Sequence, residues 1–177
     1  KDHSATIIAV AGSYGKTTVK ELLLTILSEG KKVAATPANK NVAVSHARFA
    51  SKLKGDEEVL IIEYGEGQPG DVARFAETTR PDIGVITGLA PAHLDKYKTL
   101  DAAAEDIFSL AGVVGAENTY VNEESLPARP YIKREYSGYS ADGVLGWEIS
   151  TIRVEVDGLS FVMKKGKQTL KLKSQLV

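Results

Sequence analysis

The first two thirds of the chain alternate short apolar runs with stretches in which apolar residues recur every three or four positions. The short runs predict strands, and the run at 59–63 is apolar on both faces, as the core of a parallel sheet requires. The predicted strands lie at 6–10, 32–36, 59–63, 83–87 and 119–122. The periodic stretches predict a helix that stops at Gly30 and further helices at 44–53, 71–79 and 100–114. This alternation is typical of βαβ units, so we expect an α/β fold in which a mostly parallel sheet carries helices on both faces.

After Ser125 the pattern changes, because prolines and glycines interrupt every long element. Apolar and polar residues alternate over 152–156 and 159–163, on either side of the hairpin signal Asp157-Gly158. A further turn leads to a third run at 169–173. We therefore expect a small C-terminal antiparallel β meander, and we divide the chain into an α/β core over 1–125 and a β-rich extension of the same domain over 126–177.

The strongest chemical signal is Gly12-Ser13-Tyr14-Gly15-Lys16-Thr17-Thr18, which lies between a predicted buried strand and an amphipathic helix. Backbone N–H groups of a glycine-containing loop at a helix N-terminus form an anion cradle. Lys16 can reach the outer phosphates of a nucleotide, and the Thr17 hydroxyl can ligate Mg2+. The segment matches a shorter GxxGKTT form, because the full Walker pattern has glycine where this chain has Val10. A nucleoside triphosphate site on a P-loop-type sheet is therefore predicted.

Polar residues follow three of the other predicted strands. A triphosphate site needs a carboxylate to hold the metal at the end of a neighbouring strand, and Glu63 has that position, with Glu66 close by. His93 follows the fourth strand, at the carboxyl edge where open α/β sheets bind ligands. Asn39 and Asn41 follow the second strand and reach the same edge. These residues are candidates for contacts with metal, phosphate or substrate.

Charge and composition exclude several classes of function. The chain has 22 Lys and Arg against 23 Asp and Glu, so its net charge of -1 does not favour non-specific binding to nucleic acid or to an acidic membrane. The absence of cysteine excludes disulfides, thiolate metal sites and a cysteine nucleophile. The longest apolar runs are far too short to span a bilayer. We expect a soluble, cytoplasmic monomer with neither a nucleic-acid nor a membrane partner.

Four ordered blocks of the sequence resemble the central ATP-binding domain of the Mur ligase family, in particular its MurF branch. The blocks are Val10 to Thr18 with Lys20-Glu21, Thr36 to Asn41, Glu63-Tyr64-Gly65 leading to Gly70-Asp71-Val72, and Arg80-Pro81-Asp82 through Ala92-His93-Leu94-Asp95. The resemblance implies an ATP-dependent carboxylate–amine ligase of peptidoglycan precursor synthesis. In that family ATP phosphorylates a carboxylate, an amine attacks the acyl phosphate, and an amide forms with release of ADP and phosphate. The implied substrates are a UDP-linked muramoyl peptide and an amino acid or dipeptide.

The resemblance also implies a role for each site residue. Lys16 and the loop amides hold the β- and γ-phosphates, Thr17 and Glu63 bind one Mg2+, and His93 helps to bind a second. Asn39 lies near the γ-phosphate and the acyl group. The implied nucleotide-binding residues are Gly12, Ser13, Gly15, Lys16, Thr17, Thr18 and Asn39, and the implied catalytic residues are Lys16 and His93.

The chain departs from the MurF branch on the helix that follows His93. That branch carries a carbamylated lysine there as a ligand of the second magnesium, but no lysine occurs between Lys98 and Lys133. Glu105 and Asp106 offer carboxylates that could take its place, since Mg2+ prefers anionic oxygen ligands.

Two readings of the function stay open. One is a central domain of a ligase, excised from its N- and C-terminal partner domains and therefore a poor catalyst by itself. The alternative is a degenerate or regulatory ATP-binding module without ligase activity. A switch GTPase or motor ATPase is less favoured, because the sequence has neither a DxxG nor an NKxD motif.

Overall fold

The fold is taken from a computed structural model that describes residues 5–174. Strands β1 to β10 span Thr6–Ala11, Val33–Ala35, Val59–Glu63, Ile83–Ile86, Thr119–Asn122, Ser137–Ser140, Gly143–Val144, Trp147–Glu155, Gly158–Lys165 and Gln168–Ser174. Helices α1 to α5 span Lys16–Ser28, Ala43–Ala50, Asp71–Thr79, Leu94–Tyr97 and Leu100–Val114. Short 3-10 helices occupy Ala116–Asn118 and Leu126–Tyr131. The predicted alternation of strands and helices is confirmed over the first two thirds of the chain.

All ten strands form one sheet, in the order β10-β9-β8-β7-β6-β5-β4-β1-β3-β2. The pairs from β2 to β6 are parallel, and those from β6 to β10 are antiparallel. The α/β class and the mostly parallel sheet are therefore confirmed. β2 and β3 lie on one side of β1, and β4 and β5 lie on the other. The direction of the strand order therefore reverses at β1, and its carboxyl end is a topological switch point where such folds bind ligands.

Helices cover both faces of the parallel part. On one face α1 packs Val19, Leu23 and Leu27 against β1 and β3. On the other face α3 and α5 bury Val72 and Ile107, together with a set of small residues that lets these helices approach closely: Ala76, Ala103, Ala104 and Ala111. The sequence spacing places Ile26 on the apolar face of α1, but 64% of Ile26 is exposed. Leu24, rather than Ile26, packs against the sheet beside Leu23 and Leu27.

Gly84 in β4 illustrates how tightly α5 sits on the sheet. A Cβ at this position would lie 2.9 Å from Cγ of Leu110 and 3.3 Å from Cγ2 of Val114. The glycine therefore makes room for the apolar face of α5, and a larger residue here would push the helix off the sheet.

The C-terminal part continues the main sheet rather than forming a separate layer. β6 pairs in parallel with β5, and β7 leads into the antiparallel ribbon β8-β9-β10. The antiparallel meander is confirmed, whereas β6 and β7 were not predicted. Glu155 pairs with Gly158, so the hairpin loop is Val156-Asp157, one residue before the predicted signal. The division at residue 125 stays a prediction, and the ends of both predicted segments, with His3, lie outside the described residues.

Within residues 5–174 no helix is long and apolar enough to cross a membrane.

A substitution in α5 tests the assignment of the core. Ile107 is fully buried, so Ile107→Ala removes apolar contacts and leaves a cavity. We expect the free energy of unfolding to fall by about 2–5 kcal/mol. Val113 lies on the same helix with 42% of its surface exposed, and Val113→Ala should cost under about 1 kcal/mol. Chemical denaturation followed by circular dichroism measures both, and equal losses would contradict the assignment.

Candidate functional site

The glycine-rich loop joins β1 to α1 and is fastened to the end of β4. Gly12 has a φ of 138°, and a Cβ there would lie 2.3 Å from Oγ1 of Thr87 and 2.9 Å from the Gly88 carbonyl oxygen. The Ser13 N–H donates to the same carbonyl at 2.9 Å. Gly15 adopts the left-handed conformation at the N-cap of α1, with no side chain to cap the helix. The first N–H groups of α1 have no intrahelical partner, so the loop provides an anion-binding end of a helix.

Lys16, the first residue of α1, folds back over this loop. Its ammonium donates to the Gly12 carbonyl oxygen at 2.6 Å and to Oε2 of Glu66 at 2.7 Å. The side chains of Lys16 and Glu66 are only 11% and 6% exposed, so they form a largely buried ion pair. The sequence placed Glu66 near the site, but not in contact with the lysine.

Thr17 and Glu63, predicted to share a metal ion, are in direct contact. The Thr17 hydroxyl donates to Oε2 of Glu63 at 2.9 Å, and the Asn41 side-chain amide donates to Oε1 at 3.1 Å. Only 1% of the Glu63 side chain is exposed. The Lys20 ammonium lies 3.6 Å from Oε2 and compensates the buried charge.

The pair of oxygens from Thr17 and Glu63 suits Mg2+. Neighbouring ligands of an octahedral Mg2+ with bonds of about 2.0–2.1 Å lie about 2.9 Å apart, and Oγ1 and Oε2 have this separation. Mg2+ commonly takes one or two protein ligands and completes its shell with phosphates and water. No group of three or more His, Asp or Glu residues in the described part of the chain is arranged to hold a metal.

Lys20 is a site residue to which the sequence patterns assigned no role of its own. Its side chain is fully buried, and its ammonium donates to the carbonyl oxygens of Thr36, at 2.8 Å, and of Ala38. It also lies 3.0 Å from Oε1 of Glu21. Lys20 thus ties the loop after β2 to α1. Its place three and four residues before Leu23 and Leu24, on the apolar face of the helix, was the available signal.

Asn39 and His93 reach the predicted edge of the sheet but stay outside the hydrogen-bonded group. Asn39 is exposed in the loop whose carbonyl groups Lys20 holds. His93 is exposed, has a φ of 52° and precedes α4. Within residues 5–174, no hydrogen bond or ion pair joins either side chain to Lys16, Thr17 or Glu63. Their roles towards phosphate and metal stay predictions.

His46 supports Glu63 from the other side of the strand. Its Nε2 lies 2.9 Å from the Glu63 carbonyl oxygen, and its ring packs edge-on against Phe75 with centroids 4.8 Å apart. Burial lowers the pKa of His46, so the ring is neutral at pH 7. Because a carbonyl oxygen can only accept, Nε2 carries the proton and donates it. His46 therefore has a structural role behind the site.

The two carboxylates of α5 that were considered as metal ligands face different surroundings. Asp106 is buried, accepts a 2.6 Å hydrogen bond from the Tyr97 hydroxyl through Oδ2, and leaves Oδ1 without a partner among residues 5–174. Burial first, and then the contact with Asp106, raises the pKa of Tyr97 far above its usual value. Glu105 is exposed and lines a separate cleft with Phe108 and Tyr131.

The chain is similar to a group of curated bacterial enzymes. It is 34% identical over 180 residues to a UDP-N-acetylmuramoyl-tripeptide–D-alanyl-D-alanine ligase of Buchnera aphidicola, a match that covers 92% of this chain and 37% of the relative. A ligase of the same name from Borreliella burgdorferi is 31% identical over 138 residues, covering 73% of this chain and 30% of the relative. The chain therefore spans about a third of the length of these relatives.

Solved structures share the fold. MurF ligase from Thermotoga maritima in complex with ADP superposes with a TM-score of 0.79 at 23% identity, over 97% of this chain and 41% of that one. MurF from Acinetobacter baumannii gives a TM-score of 0.78 at 18% identity, over 98% of this chain and 39% of that one.

The family profile of the Mur ligase middle domain matches residues 10–177, which includes the glycine-rich loop, Glu63 and the antiparallel ribbon. The matched residues make up nearly all of the sequence. They carry the loop, the buried carboxylate and the strands whose order places both. This chain belongs to the Mur ligase middle-domain family.

Proposed function

We propose that this chain is the ATP-binding part of an ATP-dependent carboxylate–amine ligase of peptidoglycan precursor synthesis. The observation that carries the proposal is the contact of Thr17 with the buried carboxylate of Glu63. Thr17 directly follows Lys16, the lysine at the open end of α1. The names of the relatives, and the ADP bound to the MurF ligase of similar fold, support the same chemistry. A substrate carboxylate receives the γ-phosphoryl group of ATP, and an amine then displaces phosphate to form an amide.

Positioning and charge neutralisation are what the described residues contribute to such a transfer. The loop N–H groups from Gly12 to Thr18 receive the phosphate oxygens, and Lys16 places its positive charge on the outer phosphates. Thr17 and Glu63 hold a magnesium ion, which neutralises phosphate charge when it is bound. Asn39 and His93 complete the site from the loops after β2 and β4, with Asn39 near the γ-phosphate and His93 at a second magnesium.

The substrates implied by the relatives are a UDP-linked muramoyl peptide and a dipeptide or amino acid. Since the chain spans about a third of those relatives, the groups that bind the reacting carboxylate and amine belong to parts of the protein outside this chain. We further propose that the protein acts in the cytoplasm as a monomer. Neither a nucleic acid nor a membrane is part of the proposed reaction.

A second candidate is ATP binding without ligation. It is favoured by one observation, the absence of any lysine between Lys98 and Lys133, where the MurF branch carries its carbamylated residue. Nucleotide binding is common to both candidates, so the activity of the intact protein separates them.

The first test concerns the phosphate loop. Lys16→Ala removes the cation expected on the outer phosphates, so the affinity for Mg-ATP should fall by roughly 100-fold. Isothermal titration calorimetry of the 177-residue chain measures this loss, with Mg-GTP as the competing nucleotide. Lys31 is an exposed lysine after α1, so Lys31→Ala is the matched control and should bind Mg-ATP like the unchanged chain. Unaltered binding by Lys16→Ala would contradict the assignment of the loop.

The second test isolates the metal. Thr17→Val removes a predicted ligand but keeps the shape of the side chain, so the gain in ATP affinity that Mg2+ provides should shrink by about tenfold or more. Affinity for ATP in EDTA should stay within about twofold. Thr25→Val, on the exposed side of the same helix, controls for the change in helix propensity. If Thr17→Val and Thr25→Val respond alike to Mg2+, Thr17 is not a metal ligand.

The third test compares the two carboxylates of α5 in the intact protein. Asp106 is buried beside Tyr97 and has an unpartnered oxygen, so Asp106→Ala should lower Mg2+-dependent ATP turnover by more than about tenfold. Glu105→Ala should change turnover by less than about twofold, because Glu105 is exposed in another cleft. Melting curves check that both variants are folded. Unchanged turnover in both single variants and in the double variant would remove these residues from the site.

A further inference from the structure

Glu66 is a buried carboxylate in direct contact with the lysine of the phosphate loop. Its Oε2 lies 2.7 Å from the Lys16 ammonium, and only 6% of its side chain is exposed. Of the three N–H bonds of this ammonium, one points to Glu66 and one to the Gly12 carbonyl oxygen at 2.6 Å. In the described state Lys16 is therefore largely committed to partners within the chain.

The position of Glu66 is fixed by the backbone around it. The Tyr64 N–H donates to the Val10 carbonyl oxygen at 2.9 Å, and the Gly65 N–H donates to the Asn41 carbonyl oxygen at 2.9 Å. A Cβ at Gly65 would come within 2.8 Å of that same oxygen, so the chain passes close to the loop that carries Asn41. The backbone just before Glu66 is thereby fixed, and its carboxylate lies beside the phosphate loop in contact with Lys16.

In this arrangement the negative charge of Glu66 repels an incoming phosphate. A phosphate that draws Lys16 to itself leaves Glu66 without the cation that compensates it, in a position almost closed to water. A phosphate that binds while Lys16 keeps Glu66 has only one ammonium N–H left to accept from. In both cases a negative carboxylate stays next to the negative phosphates, and like charges in a poorly solvated site repel strongly.

From these contacts we propose that Glu66 is a specificity-determining residue that makes the site prefer metal-bound nucleotide to free nucleotide. The inference rests on the proposed function, because it assumes that phosphates bind at the Gly12 to Thr18 loop. A divalent cation that accompanies the nucleotide offsets the repulsion from Glu66, whereas free nucleotide meets it in full. Glu66 acts in addition to the Thr17 and Glu63 pair, whose carboxylate has its own cation, Lys20.

The test measures nucleotide affinity with and without metal. Glu66→Gln keeps the size of the side chain and an oxygen that accepts from Lys16, but it removes the charge. We expect affinity for ATP in EDTA to rise by roughly 10- to 100-fold, the range that one hydrogen bond to a charged group represents. Affinity for Mg-ATP should change by less than about threefold. The ratio of the two affinities, measured by isothermal titration calorimetry of the 177-residue chain, therefore falls.

Two further variants make the result interpretable. Glu29→Gln also removes one negative charge, but at the opposite end of the 13-residue helix α1, about 20 Å from Lys16. It should bind free ATP as the unchanged chain does. Glu66→Ala removes the charge together with the hydrogen-bond acceptor and should also strengthen the binding of free ATP. Melting curves identify which of these variants are folded.

The outcomes separate this inference from the function on which it rests. If Mg-ATP binds and Lys16→Ala weakens that binding as expected, but free ATP binds both Glu66 variants no better than the unchanged chain, the inference is wrong and the proposed function stands. An equal gain in Glu29→Gln would also overturn it, because net charge alone would explain the effect. If the unchanged chain does not bind Mg-ATP, both the proposed function and the inference fail.

Discussion

The buried carboxylate of Glu63 constrains every element around the site. With 1% of its side chain exposed, it needs positive charge and hydrogen-bond donors, and two segments supply them. Thr17 and Lys20 are supplied by α1, and Asn41 by the loop after β2. His46 fixes the carbonyl group of the same residue from α2. One charge therefore positions the end of β3, the start of α1 and the loop after β2. A site assembled in this way is pre-organised before any ligand arrives.

Two lysines one helical turn apart divide the work of the site. Lys20 is fully buried, and carbonyl oxygens and carboxylates surround its ammonium, so its partners are structural. Lys16 is 11% exposed, lies at the open end of the helix and has Glu66 as its carboxylate partner. A ligand can approach the Lys16 ammonium at the open end of the helix, whereas the Lys20 ammonium is enclosed by its partners within the chain. Lys20 thus serves the architecture, and Lys16 is the lysine that we propose binds phosphate.

The sequence predicted local elements better than long-range contacts. The strand Val59–Glu63 and the helices Asp71–Thr79 and Leu100–Val114 match the predicted bounds, because their apolar periodicity is strong. β6 and β7 are short and contain glycine, so they depend on pairing with β5 and β8 and leave no local signal. The sequence predicted, from the phosphate-loop motif and the family resemblance, that Thr17 and Glu63 share a metal ion, and the structure places the two side chains in contact. The position of Lys20 on the apolar face of α1 was a local signal for its burial, but its partner Thr36 lies 16 residues away and the partner of Lys16, Glu66, lies 50 residues away, and no local pattern encodes these pairings.

Tyr97 is a neutral hydrogen-bond donor among the carboxylates of Asp106, Asp71 and Glu66. Burial, the bond to Asp106 and the charges of Asp71 and Glu66 all raise the pKa of its hydroxyl, so the phenol stays protonated at every pH at which the fold is relevant. A protonated phenol donates to Asp106 and adds no charge of its own. Its oxygen also lies 3.0 Å from the Gln68 carbonyl oxygen, in the turn that follows Glu66. The carboxylate of Asp106 is thereby held by a neutral group, and Lys16 remains the cation that pairs with Glu66.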